Sequence, residues 1–259
     1  TIKCERWVGR NIALAGDAVH TAHFSIGSGT KLATEDAIAL FHACQSFAGV
    51  TDALPAYEQS RQEEVSRLQH AAQVSLEWFE NTPRYQHLEP IQLALSLLSR
   101  SKRVTYDNLA LRDPAFIQAV DRWFAEKVRR DAGLAVPTEP APPPMFTPFR
   151  LRDMVLQNRV VVSPMCQYSA ADGMPDDWHL VHLGSRAIGG AGLIVTEMTD
   201  ISPEARITPG CAWMWSAAQA AAWKRIVEGG QGKSAARICM QLAHAGQNSA
   251  TCIPWQVGY

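Results

Sequence analysis

Asn158-Arg159-Val160-Val161-Val162-Ser163-Pro164-Met165-Cys166-Gln167-Tyr168-Ser169 decides the reading of the second half of the chain. A β-branched run stopped by Ser163-Pro164 reads as a strand, because proline cannot continue a sheet ladder. Outward from it the periods alternate. Trp178 to Gly189 has helical spacing, and Gly192-Leu193-Ile194-Val195-Thr196-Glu197 is a second strand. Ala217 to Glu228 is a second helix and Ala235 to Leu242 a third strand. A β-α-β-α-β order predicts a parallel sheet or the opening of a β/α barrel. Barrels keep their active sites at the C-terminal strand ends, so Ser163 to Cys166 falls at a candidate site. On these residues alone, Cys166 is either a buried small hydrophobe or a thiol that tunes a bound group.

Upstream lies Ala135 to Met145, with five prolines in eleven residues. Such a segment favours an extended, semi-rigid spacer. It divides the chain into an expected first domain (1–134), a linker (135–145) and an expected second domain (146–259). The first domain reads as mostly helical. Ile12 to Ala15 is expected as a short buried strand. Thr30 to Ala48 is expected as a helix with Ala33, Ala37, Leu40, Phe41 and Cys44 on its inner face. Leu54 to Phe79, Leu88 to Ser99 and Pro114 to Arg130 are further helices. Residue 1 is Thr and the Trp255-to-Tyr259 end lacks a terminal pattern, so the chain is expected to be cut from something longer.

Composition bounds the function classes. The chain has 259 residues, 47% apolar and 19% charged, with a net charge of −1. These are globular values, and they give no electrostatic case for nucleic acid or an anionic membrane. No apolar run is long enough to span a bilayer. The six cysteines show no C-x-x-C pair, so no metal site is expected, and reduced thiols in a cytoplasmic protein are.

In the first domain, Gly16-Asp17-Ala18-Val19-His20 leads to Gly27-Ser28-Gly29 and then a helix. A carboxylate there can accept hydrogen bonds from a polyol, and a helix N-terminus offers free N–H groups. The run from Gly16 to Ala33 strongly resembles the second flavin motif of the FAD-dependent aromatic hydroxylases. Ala71-to-Asn81 is similar to the branch that acts on aromatic acyl-CoA thioesters, such as salicylyl-CoA and 2-aminobenzoyl-CoA. The resemblance implies that Gly16 and Asp17 bind the FAD ribityl chain and that Gly27 and Gly29 lie against the isoalloxazine. It also implies reduction by NAD(P)H and delivery of oxygen from O2 to an aromatic ring. The upstream Gly-x-Gly-x-x-Gly turn of that family has no match here. His20 and His23 read as structural, and His42 and His70 as ordinary helix residues.

In the second domain, Asn158-to-Ser169 is joined by His179-to-Gly189, Gly192-to-Met198 and Gln241-Leu242-Ala243-His244-Ala245-Gly246. In order and spacing these resemble the old yellow enzyme family of FMN-dependent ene-reductases. The resemblance implies that Ser163, Pro164, Met165, Cys166 and Met198 line FMN and that Gln241 bonds its pyrimidine edge. It places Tyr168 toward the substrate. Gln247 departs from the Arg usual after His-Ala-Gly. Gly229 to Lys233 reads as a flexible loop, His244 as a strand-end holder, and His179 and His182 as structural.

The expected fold class is therefore α/β. A mostly helical C-terminal part of an FAD monooxygenase fold precedes the first three β/α units of a TIM barrel. The two resemblances together imply a parent that hydroxylates an aromatic acyl-CoA and reduces an enone-type product, with a homodimer as an open option. Alternatives are a hydroxylase of a free aromatic acid or indole derivative fused to an ene-reductase, and a non-catalytic fragment that binds neither flavin tightly.

Overall fold

The computed structural model describes residues 2–249 and 251–256. Contacts divide the chain into two units, Thr1–Val120 and Asp121–Tyr259.

The first unit contains helices α1 (Gly29–Ser46), α2 (Val50–Glu80), α3 (Pro90–Ser99) and α4 (Tyr106–Arg112). Helix α5 (Pro114–Ala132) runs from this unit into the second. Trp7, Val19, Leu32, Ala43, Tyr57, Val65 and Leu68 form the core. Two expectations are corrected here. Ile12 to Ala15 is not a strand; it makes one isolated bridge, Val8 to Ala13, and Ile12 is 63% exposed. Its polar groups are satisfied by other means. The Leu14 N–H donates to the Trp7 carbonyl at 2.8 Å, and the Tyr57 hydroxyl donates to the Leu14 carbonyl at 2.9 Å. Burial pushes that Tyr57 phenol up to about 12.

The second correction concerns the inner face of α1. Leu32, Asp36 and Ala43 are buried, whereas Ala37, Phe41 and Cys44 are exposed. The face is rotated because a charged residue, Asp36, lies at its centre. A periodicity of apolar residues assigns a carboxylate to solvent, and here its partners draw it inside.

The second unit opens with an antiparallel hairpin, β1 (Phe149–Leu151) and β2 (Met154–Leu156), turning through Arg152 at φ 52°. The 135–145 segment packs in this unit, with Val136 buried against Ala125 and Val128 of α5. The alternating order then follows as β3 (Val161–Val162), α6 (Asp177–Ile188), β4 (Leu193–Asp200), β5 (Ala212–Trp213), α7 (Ala217–Gln231) and β6 (Arg237–Ala243). Strands β3, β5 and β6 all pair parallel with β4. Capping boxes start both connecting helices, Asp176 with His179 for α6 and Ser216 with Gln219 for α7. Each box satisfies amides that a helix start leaves open. The helices then bury Leu183, Ala187, Trp223 and Ile226 against Ile194 and Ala212 of the sheet. Among the described residues, no helix is long and apolar enough to cross a membrane.

Candidate functional sites

Each unit carries its own site. In the first, Gly16 opens a 3-10 turn at φ 59°, a conformation in which a side chain is strained. A Cβ on Gly16 would also stand 3.0 Å from the Ala33 Cβ of α1. The Gly16 N–H donates to Asp36 Oδ2 at 2.9 Å. Asp17, next in the chain, is exposed. The second turn, Phe24–Ile26, ends on Gly27 at φ 64°, and Gly29 begins α1. Ser28 sits at the N-cap with its Oγ buried and without a hydrogen-bond partner. The predicted residues thus gather at two places in one unit: a turn ending in an exposed carboxylate, and a helix start with open backbone around an unsatisfied hydroxyl.

Both histidines of this stretch make structural contacts. His20 is 2% exposed and its Nε2 lies 2.7 Å from Asp36 Oδ2. The Nδ1 of His23 accepts from the Ser25 N–H at 3.2 Å. Sequence reasoning missed Asp36 and Arg61, which form a buried ion pair at 3.0 Å. Their only signal in the sequence is a carboxylate on an otherwise apolar helix face.

In the second unit, Ser163, Pro164, Met165 and Cys166 follow the C-terminal end of β3 and are exposed. The Cys166 thiol is exposed in this structure. Met198 and Gln241 are register partners on β4 and β6. A β-bulge places Thr196 and Glu197 where β6 has a single residue between Cys239 and Gln241. Two hydrogen bonds cross or close the bulge. The Gln241 N–H donates to Thr196 Oγ1 at 3.2 Å, and the Thr199 hydroxyl donates to the Glu197 carbonyl at 2.9 Å.

The bulge also aims Glu197, which the sequence reading did not single out. Its carboxylate accepts from the Gln167 N–H at 2.8 Å and pairs with His179 Nε2 at 2.9 Å. That contact fixes the loop immediately after Cys166. His179 is 2% exposed, and its Nδ1 lies 2.9 Å from Asp176 Oδ1, so the protonated ring can donate to a carboxylate on each side. Burial pulls the His179 pKa down, but Glu197 and Asp176 outweigh it and the net shift is upward from 6.5. The sign follows from linkage: stability from the protonated imidazole is full below 6.5 and is lost as pH rises through the folded value. We therefore expect the denaturation midpoint of the second unit to fall as pH rises above 6.5, and His179→Gln to flatten that fall.

Tyr168 follows at φ 49°, with its ring centroid 6.2 Å from that of Trp255. Burial, then the neighbouring Cys166, pushes its phenol up. Asp200 ends β4, fully buried, and neither carboxylate oxygen has a conventional hydrogen-bond donor. Burial pushes it up to about 6, against opposing pulls from Cys211 and His244. The Nδ1 of His244 accepts from the Gly246 N–H at 3.1 Å, which ties the end of β6. Among the described residues no group of three or more His, Cys, Asp or Glu is placed to hold a metal ion.

A parallel sheet with a polar loop cluster at its strand ends defines a candidate site of the β/α class. Residues 144–252 match the NADH:flavin oxidoreductase / NADH oxidase family. That segment is accordingly similar to the old yellow enzyme-type flavin oxidoreductases. Among curated relatives, the chain is 38% identical over 164 residues to a salicyloyl-CoA 5-hydroxylase of Streptomyces sp, covering 62% of this chain and 29% of that protein. It is 39% identical over 107 residues to an NADPH dehydrogenase of Bacillus subtilis, covering 40% of this chain and 31% of that one. Among solved structures, morphinone reductase aligns at 39% identity with a TM-score of 0.38, over 40% of this chain and 27% of that one. The chain thus spans less than a third of the length of these relatives.

Proposed function

We propose that this chain is part of a bifunctional flavoprotein, with an FAD hydroxylase unit ahead of an FMN ene-reductase unit, acting on an aromatic acyl-CoA. The observation that carries this reading is the reach of the match to the Streptomyces hydroxylase. It runs over 164 residues, more than the stretch from residue 144 to the end can hold, and so extends into the sequence before the reductase segment.

The residues fit the two groups. In the first unit, the exposed Asp17 carboxylate would accept from ribityl hydroxyls, and the backbone at Gly27 and Gly29 would hold the isoalloxazine. The orphaned Ser28 Oγ beside them supplies a hydroxyl to its polar edge. In the second unit, Ser163, Pro164, Met165, Cys166 and Met198 line FMN, Gln241 meets its pyrimidine edge, and Tyr168 faces the substrate. Glu197 keeps the loop after Cys166 in place through the Gln167 N–H. Bound FAD would supply oxygen transfer from O2, and bound FMN hydride transfer, with NAD(P)H as reductant for both. The protein's share is to bind, orient and shield.

The test supplies a protein bearing both units with FAD, FMN, NADH or NADPH, and either salicylyl-CoA, 2-aminobenzoyl-CoA or the free acids. Nicotinamide oxidation that depends on the thioester is the expected result. Oxidation driven equally well by the free acids would overturn the acyl-CoA assignment.

A further inference from the structure

Asp36 is fully buried on α1, in a unit whose core is built mainly of apolar side chains. Its two oxygens take three donors from two parts of the chain, the Gly16–His20 stretch and α2. Oδ2 accepts from the Gly16 N–H at 2.9 Å and contacts His20 Nε2 at 2.7 Å, while Oδ1 accepts from Arg61 Nε at 3.0 Å. Arg61 is itself held from two further sides, by Glu35 at 3.0 Å and Glu64 at 2.7 Å. The guanidinium is therefore fixed by three carboxylates, and it fixes in turn the plane of the Asp36 carboxylate. Such a network sets geometry at a cost in desolvation.

The geometry it sets is that of the Gly16–Asp17 turn. Gly16 is in the left-handed region, so the turn has no strong intrinsic preference to close. The Gly16 carbonyl accepts from Val19 and His20, both at 3.0 Å, which closes the turn on its own side. Its N–H has the Asp36 carboxylate as its partner, and that bond anchors the turn to α1.

We propose that Asp36, held by Arg61, is the positioning residue that presents the Asp17 carboxylate to a polyol-phosphate ligand. The Asp36–Gly16 bond fixes the direction of the chain one residue before Asp17. Asp36 does not touch the ligand; it acts through the backbone. The ligand assignment rests on the FAD reading of the first unit, but the anchoring of Gly16 does not.

Backbone amide exchange separates the two. In the full chain, Asp36→Ala is expected to lose about tenfold or more of the protection at Gly16. Asp36→Asn keeps one acceptor oxygen and is expected to restore part of it. The middle of α2 should keep its protection within about twofold in Asp36→Asn, since its backbone bonds are internal to the helix. Excess FAD should slow exchange across Gly16 to Val19 in the wild type and have less effect in Asp36→Asn. Unchanged protection at Gly16 in both variants would overturn the positioning role, as would an equal loss throughout the first unit in Asp36→Asn. If the variants behave as expected but FAD leaves wild-type exchange unaltered, the anchoring stands and the FAD reading fails.

Discussion

Replacing Arg61 with Met is expected to cost the first unit about 3–5 kcal/mol, measured as a shift in the urea midpoint. The side chains are similar in length, so the effect is electrostatic rather than a cavity. Arg61 is 5% exposed and Asp36 is fully buried. Burial alone would lower the Arg61 pKa, yet Asp36 and Glu35 raise it, so the guanidinium is held charged inside the fold. Without it the Asp36 carboxylate keeps only the Gly16 N–H and His20 as neighbours. A loss of this size is a large fraction of the 5–15 kcal/mol typical of a whole domain. The asymmetry of buried pairs gives a second check. Asp36→Asn combined with Arg61→Met should cost less than the two single changes added together, because no uncompensated charge is left. Strict additivity would show that the two side chains do not act as a pair.

Asp200→Asn is expected to do the opposite and stabilise the second unit at pH 7.5. The folded carboxyl is pushed up to about 6 from 3.8, first by burial. As pH rises from 3.8 the unfolded chain ionises before the folded one, so stability falls until about 6 and is then flat. The full shift corresponds to about 2–3 kcal/mol. A neutral amide of the same shape removes that loss above pH 6 and changes little near pH 4. The denaturation midpoint of the variant should therefore be nearly independent of pH over the range where the wild type declines. Because His179 titrates on the alkaline side of this window, the two groups produce separate steps.

The second unit was legible in the sequence where local signals and tertiary context agree. Val161 and Val162, Leu193 to Val195, and Ile238 to Met240 are apolar runs broken by helical spacing, and each lies in a strand. Spacing placed the starts of α6 and α7 at Trp178 and Ala217, against Asp177 and Ala217 in the structure; the capping side chains, Asp176 and Ser216, were not read. The hairpin β1–β2 and strand β5 escaped notice because two or three residues cannot display a period. The bulge at Thr196-Glu197 leaves no mark in the sequence; only its consequence, the pairing of Glu197 with His179, shows why both residues are polar and buried. In the first unit the inner face of α1 was not legible. Apolar periodicity has no means of placing Asp36 indoors. Ile12 to Ala15 looked like a strand by composition, but its polar groups are taken by Trp7 and Tyr57.

The central claim is that the exposed strand ends of the second unit form a flavin site, with Ser163 to Cys166, Met198 and Gln241 on one face. The most direct measurement is titration of FMN with a protein that carries the reductase unit in full, followed by flavin fluorescence. A saturable change in emission is predicted. It should be weakened about tenfold by Gln241→Ala, through loss of one hydrogen-bonding side chain at the ring edge, and left unchanged by Phe41→Ala in the first unit. Emission that does not change at any protein concentration, or equal affinity in Gln241→Ala and wild type, would contradict the assignment.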